Sequence, residues 1–137
     1  MSKGIPPVSK FMTTTPHTIE PNQPLSEAKR WMLEHGVRHI PVRSGGEVVG
    51  LLSDRDVSLL STFSGVDLTK AKVKDAMAVD VFKVQPDTPV TDVVLEMAEA
   101  KYGSALVTQP NGTLVGIFTT IDALRAFSHV FETRLKK

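Results

Sequence analysis

Two short stretches hold the residue types that could do chemistry. The first is Gly50-Leu51-Leu52-Ser53-Asp54-Arg55-Asp56, and the second is Gly116-Ile117-Phe118-Thr119-Thr120-Ile121-Asp122. In each, an apolar run ends in a hydroxyl residue, and an aspartate follows three positions later. That grammar predicts a buried strand running straight into a helix start, with Ser53 or Thr119 at the junction. Such a junction collects backbone N–H groups and the positive end of the helix dipole, so it suits an anion or a polar ligand. The spacing also reads as a capping box, whose only task is to satisfy the helix N-terminus. One copy alone favours capping. Two copies in matching contexts shift that balance.

The elements that must position these junctions follow from the rest of the chain. Val8 to Met12 predicts one helical turn, Thr13 to Pro16 a turn, and Thr18-Ile19 a very short strand. Pro24 sits where a first helical residue belongs, and Leu25, Ala28, Met32 and Trp31 mark an apolar stripe that Gly36 ends. His39 to Val42 reads as a strand whose Pro41 suggests an edge or an end. Ser44-Gly45-Gly46 is a hairpin-type turn, Glu47 to Leu52 the next strand, and Asp54 to about Leu60 the helix after it.

The chain then repeats. Met12 matches Met77, Pro21 Pro86, Pro24 Pro89, Met32 Met97 and Val42 Val107, each 65 positions apart. One extra residue in the turn at Gln109 to Gly112 moves the offset to 66, so Asp56 meets Asp122. In the second copy Thr88 is the expected N-cap and Pro89 the first helical residue, ahead of a stripe of Val90, Val93, Val94 and Met97. A final helix, Ile121 to Lys137, would show Leu124, Phe127 and Val130 or Phe131 as its apolar side. The fold class is α/β (α+β), a pseudo-two-fold pair of β-α-β-β-α repeats. Residues 8–65 form the first repeat and 70–130 the second; 1–7 are a lead-in, and 131–137 end the last helix.

Composition narrows the function. With 137 residues, 41% hydrophobic and 23% charged, the chain is an ordinary globular one. A formal charge of +1 gives no polyanion-binding surface, and few aromatics accompany it, which argues against nucleic acid. There is no cysteine, so thiolate metal sites and disulfides are excluded, as suits a reducing cytoplasm. No apolar run approaches the ~20 residues of a membrane span, and Met1 to Pro7 lack a signal's apolar core. His17, His35 and His129 are scattered without metal-ligand spacing. No Gly-rich phosphate loop or Ser/His/Asp set supports an enzyme, so no catalytic residue is assigned.

Val37-Arg38-His39-Ile40-Pro41-Val42, followed by Gly50 to Asp56, carries a family resemblance. The two copies resemble CBS domains (named after cystathionine β-synthase), and the tandem resembles a Bateman module over about residues 8 to 128. The second copy departs from the first motif, reading Tyr102-Gly103-Ser104-Ala105-Leu106-Val107, but is complete in the second. The resemblance implies binding of AMP, ADP, ATP or a related adenosyl ligand such as S-adenosylmethionine, assembly as a flat two-fold disc, and sensing rather than catalysis. An aspartate in the first helical turn would repel phosphate yet accept both hydroxyls of a ribose, as the acid of a dinucleotide fold does. Asp56 and Asp122 therefore read as ribose clamps, Ser53 and Thr119 as hydrogen-bonding partners of ribose or phosphate, and Leu51 or Ile117 as walls for adenine.

In the family each slot is shared between repeats. By that resemblance, the Asp56 site takes its adenine contacts from Thr88, Val93, Tyr102 and Gly103. The Asp122 site, which includes Ile121, takes them from Gln23, Ala28, Val37 and the Arg38 backbone. Arg38 and His39 would face phosphates in the Asp56 site, where Gly103 and Ser104 offer no counterpart charge. Alternatives stand beside these roles: Arg38 could pair with Glu34, His39 could be a half-buried strand residue, and Arg55 could reach a phosphate or lie on the exposed helix face. The helix stripes Leu25 to Met32 and Val90 to Met97 lead us to expect a homodimer. The competing reading is a constitutive dimeric scaffold for an unknown effector protein, with no bound nucleotide.

Overall fold

The computed structural model describes residues 4–14 and 17–135. They fall into two compact units: residues 16–81, here the Asp56 unit, and residues 1–15 with 82–137, here the Asp122 unit.

In the Asp56 unit, helix α1 (Leu25–His35) precedes an antiparallel hairpin of β2 (His39–Ser44) and β3 (Glu47–Ser53), and α2 (Asp54–Ser61) follows at once. Helix α1 stops at Gly36 in the left-handed conformation, φ 64°, which glycine adopts without steric cost. Leu25, Ala28 and Met32 lie one turn apart and bury completely or nearly so against Ile40, Val42, Leu52 and Val57. The hairpin turns through Gly45 and Gly46, both at positive φ. Pro41 lies inside β2 and not at its end, but β2 is an edge strand of a two-stranded sheet, the other place its missing donor suggests. Pro41 faces Leu51, whose N–H and C=O both bond Ala78 instead, so the missing proline donor leaves no ladder bond unmade.

The elements of the Asp122 unit are β1 (Thr13–Thr14), β4 (Lys83–Val84), α3 (Val90–Ala100), β5 (Ser104–Thr108), β6 (Leu114–Thr119) and α4 (Thr120–Leu135). Its strands form one sheet in the order β1-β6-β5-β4. Val90, Val93, Met97, Ala105, Val107 and Phe118 form its core with Val8. Helix α3 ends at Lys101 with φ 62°, the one non-glycine residue with positive φ among the described residues.

The spatial units cut across the sequence repeats by a matched exchange. The 3-10 turn Val8–Lys10 packs in the Asp122 unit, where Val8 N–H bonds Thr88 O at 2.8 Å and Val90 N–H bonds Pro6 O at 2.9 Å. The 3-10 turn Val73–Asp75 does the same in the Asp56 unit, through Val73 N–H to Gln23 O and Leu25 N–H to Ala71 O, both 2.9 Å. Each exchanged segment lays a methionine over a strand glycine. A Cβ at Gly50 would come within 2.8 Å of Met77 Sδ and of Ala78 O, and one at Gly116 would collide with Met12 Sδ. Glycine is required there by the close approach.

Several local expectations need correction. Thr13–Thr14 is strand β1, formed by pairing with β6 about a hundred residues away, a partner that no local pattern names; Thr15 and Pro16 are outside the described residues. Ile19 makes one parallel bridge to Val42, not a strand. Pro24 and Pro89 are themselves the N-cap residues, so each helix starts one position later. The Thr88 hydroxyl accepts from Gln85 N–H at 3.2 Å and so closes the preceding turn. Helix α4 begins at Thr120 and is described to Leu135. It buries Asp122 and Ala126, while Leu124, Phe127 and Phe131, its expected packing side, are more than half exposed.

Candidate ligand-binding site

Both junctions form as the spacing predicts, and both are capping boxes. Ser53 Oγ accepts from Asp56 N–H at 3.1 Å, and Asp56 Oδ2 accepts from Ser53 N–H at 3.0 Å. In the other unit Asp122 Oδ2 accepts from Thr119 N–H at 2.9 Å and from Thr119 Oγ1 at 3.1 Å. Asp122 N–H in turn reaches Thr119 Oγ1 at 3.3 Å. The first helical N–H of each helix is also used: Asp54 N–H bonds Arg38 O at 2.9 Å, and Thr120 N–H bonds Gly103 O at 3.2 Å. The expectation of a cluster of free N–H groups is thereby corrected. Only the second helical N–H, of Arg55 or Ile121, has no internal partner among the described residues at each junction.

Capping leaves the two carboxylates in different states. Asp56 is half-buried, and its Oδ1 has no hydrogen-bond partner among the described residues. With a lone pair also left on Oδ2, it can accept two further hydrogen bonds, the demand of a vicinal diol. Asp122 is 5% exposed, and its Oδ1 lies 3.8 Å from Arg125 Nη1. Its acceptor capacity is more nearly filled.

The charges around the junctions differ more. Arg38 is exposed and makes no ion pair among the described residues; Glu34, the partner of the alternative reading, lies 3.9 Å from Arg30 instead. His39 is half-buried, opposite Ser53 in the hairpin. Burial lowers its pKa below the ordinary 6.5, Asp54 and Asp56 pull the other way, and Arg38 adds to the lowering. Arg55 is exposed on α2. The corresponding positions of the Asp122 unit are Gly103, Ser104 and Ile121, none of them charged. Ser104 is 3% exposed, and its hydroxyl is unpartnered among the described residues.

The remaining site residues fall within their own units. A cleft of about 390 Å³ opens between the end of α1 and the start of α2, bordered by Met32, Val37, Arg38, Asp54 and Val57. Gln23 is tied into its turn, accepting from Glu20 N–H at 2.8 Å and donating to Glu27 at 3.1 Å. Ala28 and Val93 are 0% exposed in the two cores, so neither has surface left for a base. Leu51 is half-buried, Ile117 is 7% exposed opposite Thr13, and Ile121 is exposed. Tyr102 stacks on Phe82, ring centroids 5.1 Å apart and planes 12° from parallel. Phe82 was not anticipated, since no periodicity marks a residue just ahead of a two-residue strand. His17 and His35 are not scattered in space. Both rings lie on Trp31, at 4.7 and 4.3 Å.

Two copies of a hairpin feeding a capped helix, each braced by a segment from the other repeat, define the class. The chain belongs to the CBS domain family: the family model matches residues 8–60 and again 73–129, making it a CBS domain pair. It is 34% identical over 110 residues to the CBS domain-containing protein YhcV of Bacillus subtilis, covering 80% of this chain and 77% of that protein. Inosine-5'-monophosphate dehydrogenase of Korarchaeum cryptofilum is 31% identical over 134 residues, 98% of this chain, but the chain spans only 27% of that enzyme. Among solved structures, CBSX2 in complex with AMP superposes with a TM-score of 0.81 at 27% identity, over 90% of this chain and 97% of that one. No helix among the described residues is long and apolar enough to cross a membrane.

Proposed function

We infer that this CBS pair is a cytoplasmic regulatory module that binds an adenine nucleotide or a related adenosyl ligand, S-adenosylmethionine included. The ligand acts by altering the protein's conformation or its contacts with an effector protein, and no catalytic step is assigned to the chain. The observation that carries this reading is the Asp56 carboxylate, which caps α2 through one oxygen and has no partner for the other among the described residues, so that a ribose diol can bond there. The AMP complex of the similar CBSX2 supports it. The residue roles given above from the resemblance belong to the same proposal, without the fully buried Ala28 and Val93. Thermal-shift measurements with adenosine, AMP, ADP, ATP and S-adenosylmethionine test it. A ligand of the native state must raise the melting temperature, and a flat response to all five removes the reading.

The scaffold reading has its own support, because both capping boxes are complete without a ligand. Either way we infer a homodimer, though not through the stripes first expected, whose apolar residues are buried or half-buried in their own units. Exposed apolar residues that could serve instead include Leu33, Leu59, Phe63 and Val79 in the Asp56 unit and Leu95, Ile121, Leu124, Phe127, Phe131 and Leu135 in the Asp122 unit. Sedimentation velocity checks this, and a monomer persisting at high micromolar protein overturns it.

A further inference from the structure

The half-buried His39 stands at the junction of β2 with α2, among the charges of Arg38, Asp54 and Asp56. It opens β2 and pairs directly with Ser53, the residue that caps α2. Its neighbour Arg38 is bonded through the carbonyl to Asp54 N–H at 2.9 Å, which pins the start of β2 to the start of α2. The charged groups in electrostatic reach of the imidazole are Asp54 and Asp56 on α2 and Arg38 before β2. At the matching place the Asp122 unit has Ser104, which does not titrate.

We propose that His39 makes the Asp56 junction a proton-coupled reader of phosphate: an adenosyl ligand carrying phosphate binds with uptake of a proton at His39, and one without phosphate does not. The proposal rests on the adenosyl-binding reading above. Without ligand, burial keeps the ring neutral at pH 7, since its pKa lies below the ordinary value. An anion arriving beside Arg38 adds an opposite charge, and one within about 4–6 Å raises a pKa by roughly one to three units. Protonation then drives binding and binding drives protonation, by the reciprocity of linked equilibria. Adenosine supplies no such charge and can only desolvate the ring further, which holds it neutral. The device favours phosphorylated ligands increasingly as pH falls.

Calorimetric titration of the full chain with AMP and with adenosine, at pH 7 in buffers of different ionisation enthalpy, measures the protons exchanged. AMP binding should take up a clear fraction of a proton in the wild type and less in His39→Gln, a comparison that cancels the phosphate's own titration near pH 6. Adenosine should take up none in either. AMP affinity should rise by about two- to fivefold per pH unit from 8 to 6 relative to His39→Gln, below the tenfold ceiling of one full proton. If His39→Gln binds AMP with the same proton uptake as the wild type, the proposal is overturned and the adenosyl reading stands. If neither ligand binds the wild type, both fail. Should His39→Gln fold poorly, the His39 titration followed by NMR in the wild type decides: AMP should raise its pKa and adenosine should not, and a pKa that AMP leaves unmoved overturns the proposal.

Discussion

Asp56→Asn separates the two tasks that the structure gives to one side chain. As a cap, Asp56 accepts from Ser53 N–H at 3.0 Å within the first turn of α2. Asparagine can keep that bond through its amide oxygen but loses the charge at the helix N-terminus, at a cost of roughly 0.3–1 kcal/mol. As a ribose clamp, Asp56 would offer its free Oδ1 and a remaining lone pair on Oδ2. Replacing that anion with an amide leaves one acceptor where two hydroxyls need partners. Charged hydrogen bonds contribute about 1.5–3 kcal/mol against about 1 for neutral ones, so the loss is on the order of 1–2 kcal/mol, or about five- to thirtyfold in affinity. Adenosine and AMP carry the same ribose and should weaken by the same factor. Arg38→Ala is the control for the other end of the ligand. Because Arg38 is exposed and unpaired among the described residues, its loss should leave the melting temperature and adenosine affinity nearly unchanged while weakening AMP. Calorimetry with both ligands and melting curves for both variants provide the test. If Asp56→Asn lowers the melting temperature but leaves both affinities intact, Asp56 only caps the helix.

Three further outcomes follow from the backbone and the burial of single residues. Lys101→Gly should stabilise the chain by about 0.5–1 kcal/mol, since Lys101 ends α3 at φ 62°, where Gly36 ends α1; a thermal melt that falls instead refutes the strain. Gly116→Ala should destabilise by roughly 1–3 kcal/mol, because its Cβ meets Met12 Sδ and comes 3.0 Å from Thr13 O, and chemical denaturation will read the loss. For His39, whose folded pKa is depressed, the unfolded chain takes up a proton that the folded chain refuses. Stability tied to this group is full above pH 6.5 and falls as pH drops below it, so His39→Gln should flatten the melting-temperature profile between pH 7 and 5.

Much of the fold was legible because punctuation residues repeat. Pro24 with Pro89 and Gly50 with Gly116 fixed the two copies and their offset, and the strand-to-helix junctions formed where Ser53 and Thr119 predicted. The exchange of Val8–Lys10 and Val73–Asp75 was not legible, since a single 3-10 turn carries no periodicity that names its neighbour. Strand β1 escaped for a similar reason: two residues show no alternation, and their pairing partner is β6. On α4 the helical period placed Leu124, Phe127 and Phe131 together, yet periodicity cannot say whether that face meets a core or solvent. At the junctions the motif served both readings, and only the hydrogen-bond geometry revealed that capping takes one carboxylate oxygen and leaves the other.

The central claim is most directly tested by titrating ligand-free protein with AMP in a calorimeter at pH 7. The Asp56 junction has Arg38 and His39, whereas the Asp122 junction has Gly103, Ser104 and a carboxylate beside Arg125. One missing charge-assisted phosphate bond, about 1.5–3 kcal/mol, separates two sites by one to two orders of magnitude. The account predicts one tight site per chain and a second at least about tenfold weaker. Two equal sites would contradict the charge argument, and no saturable heat with AMP or any other adenosyl ligand would contradict the binding function itself.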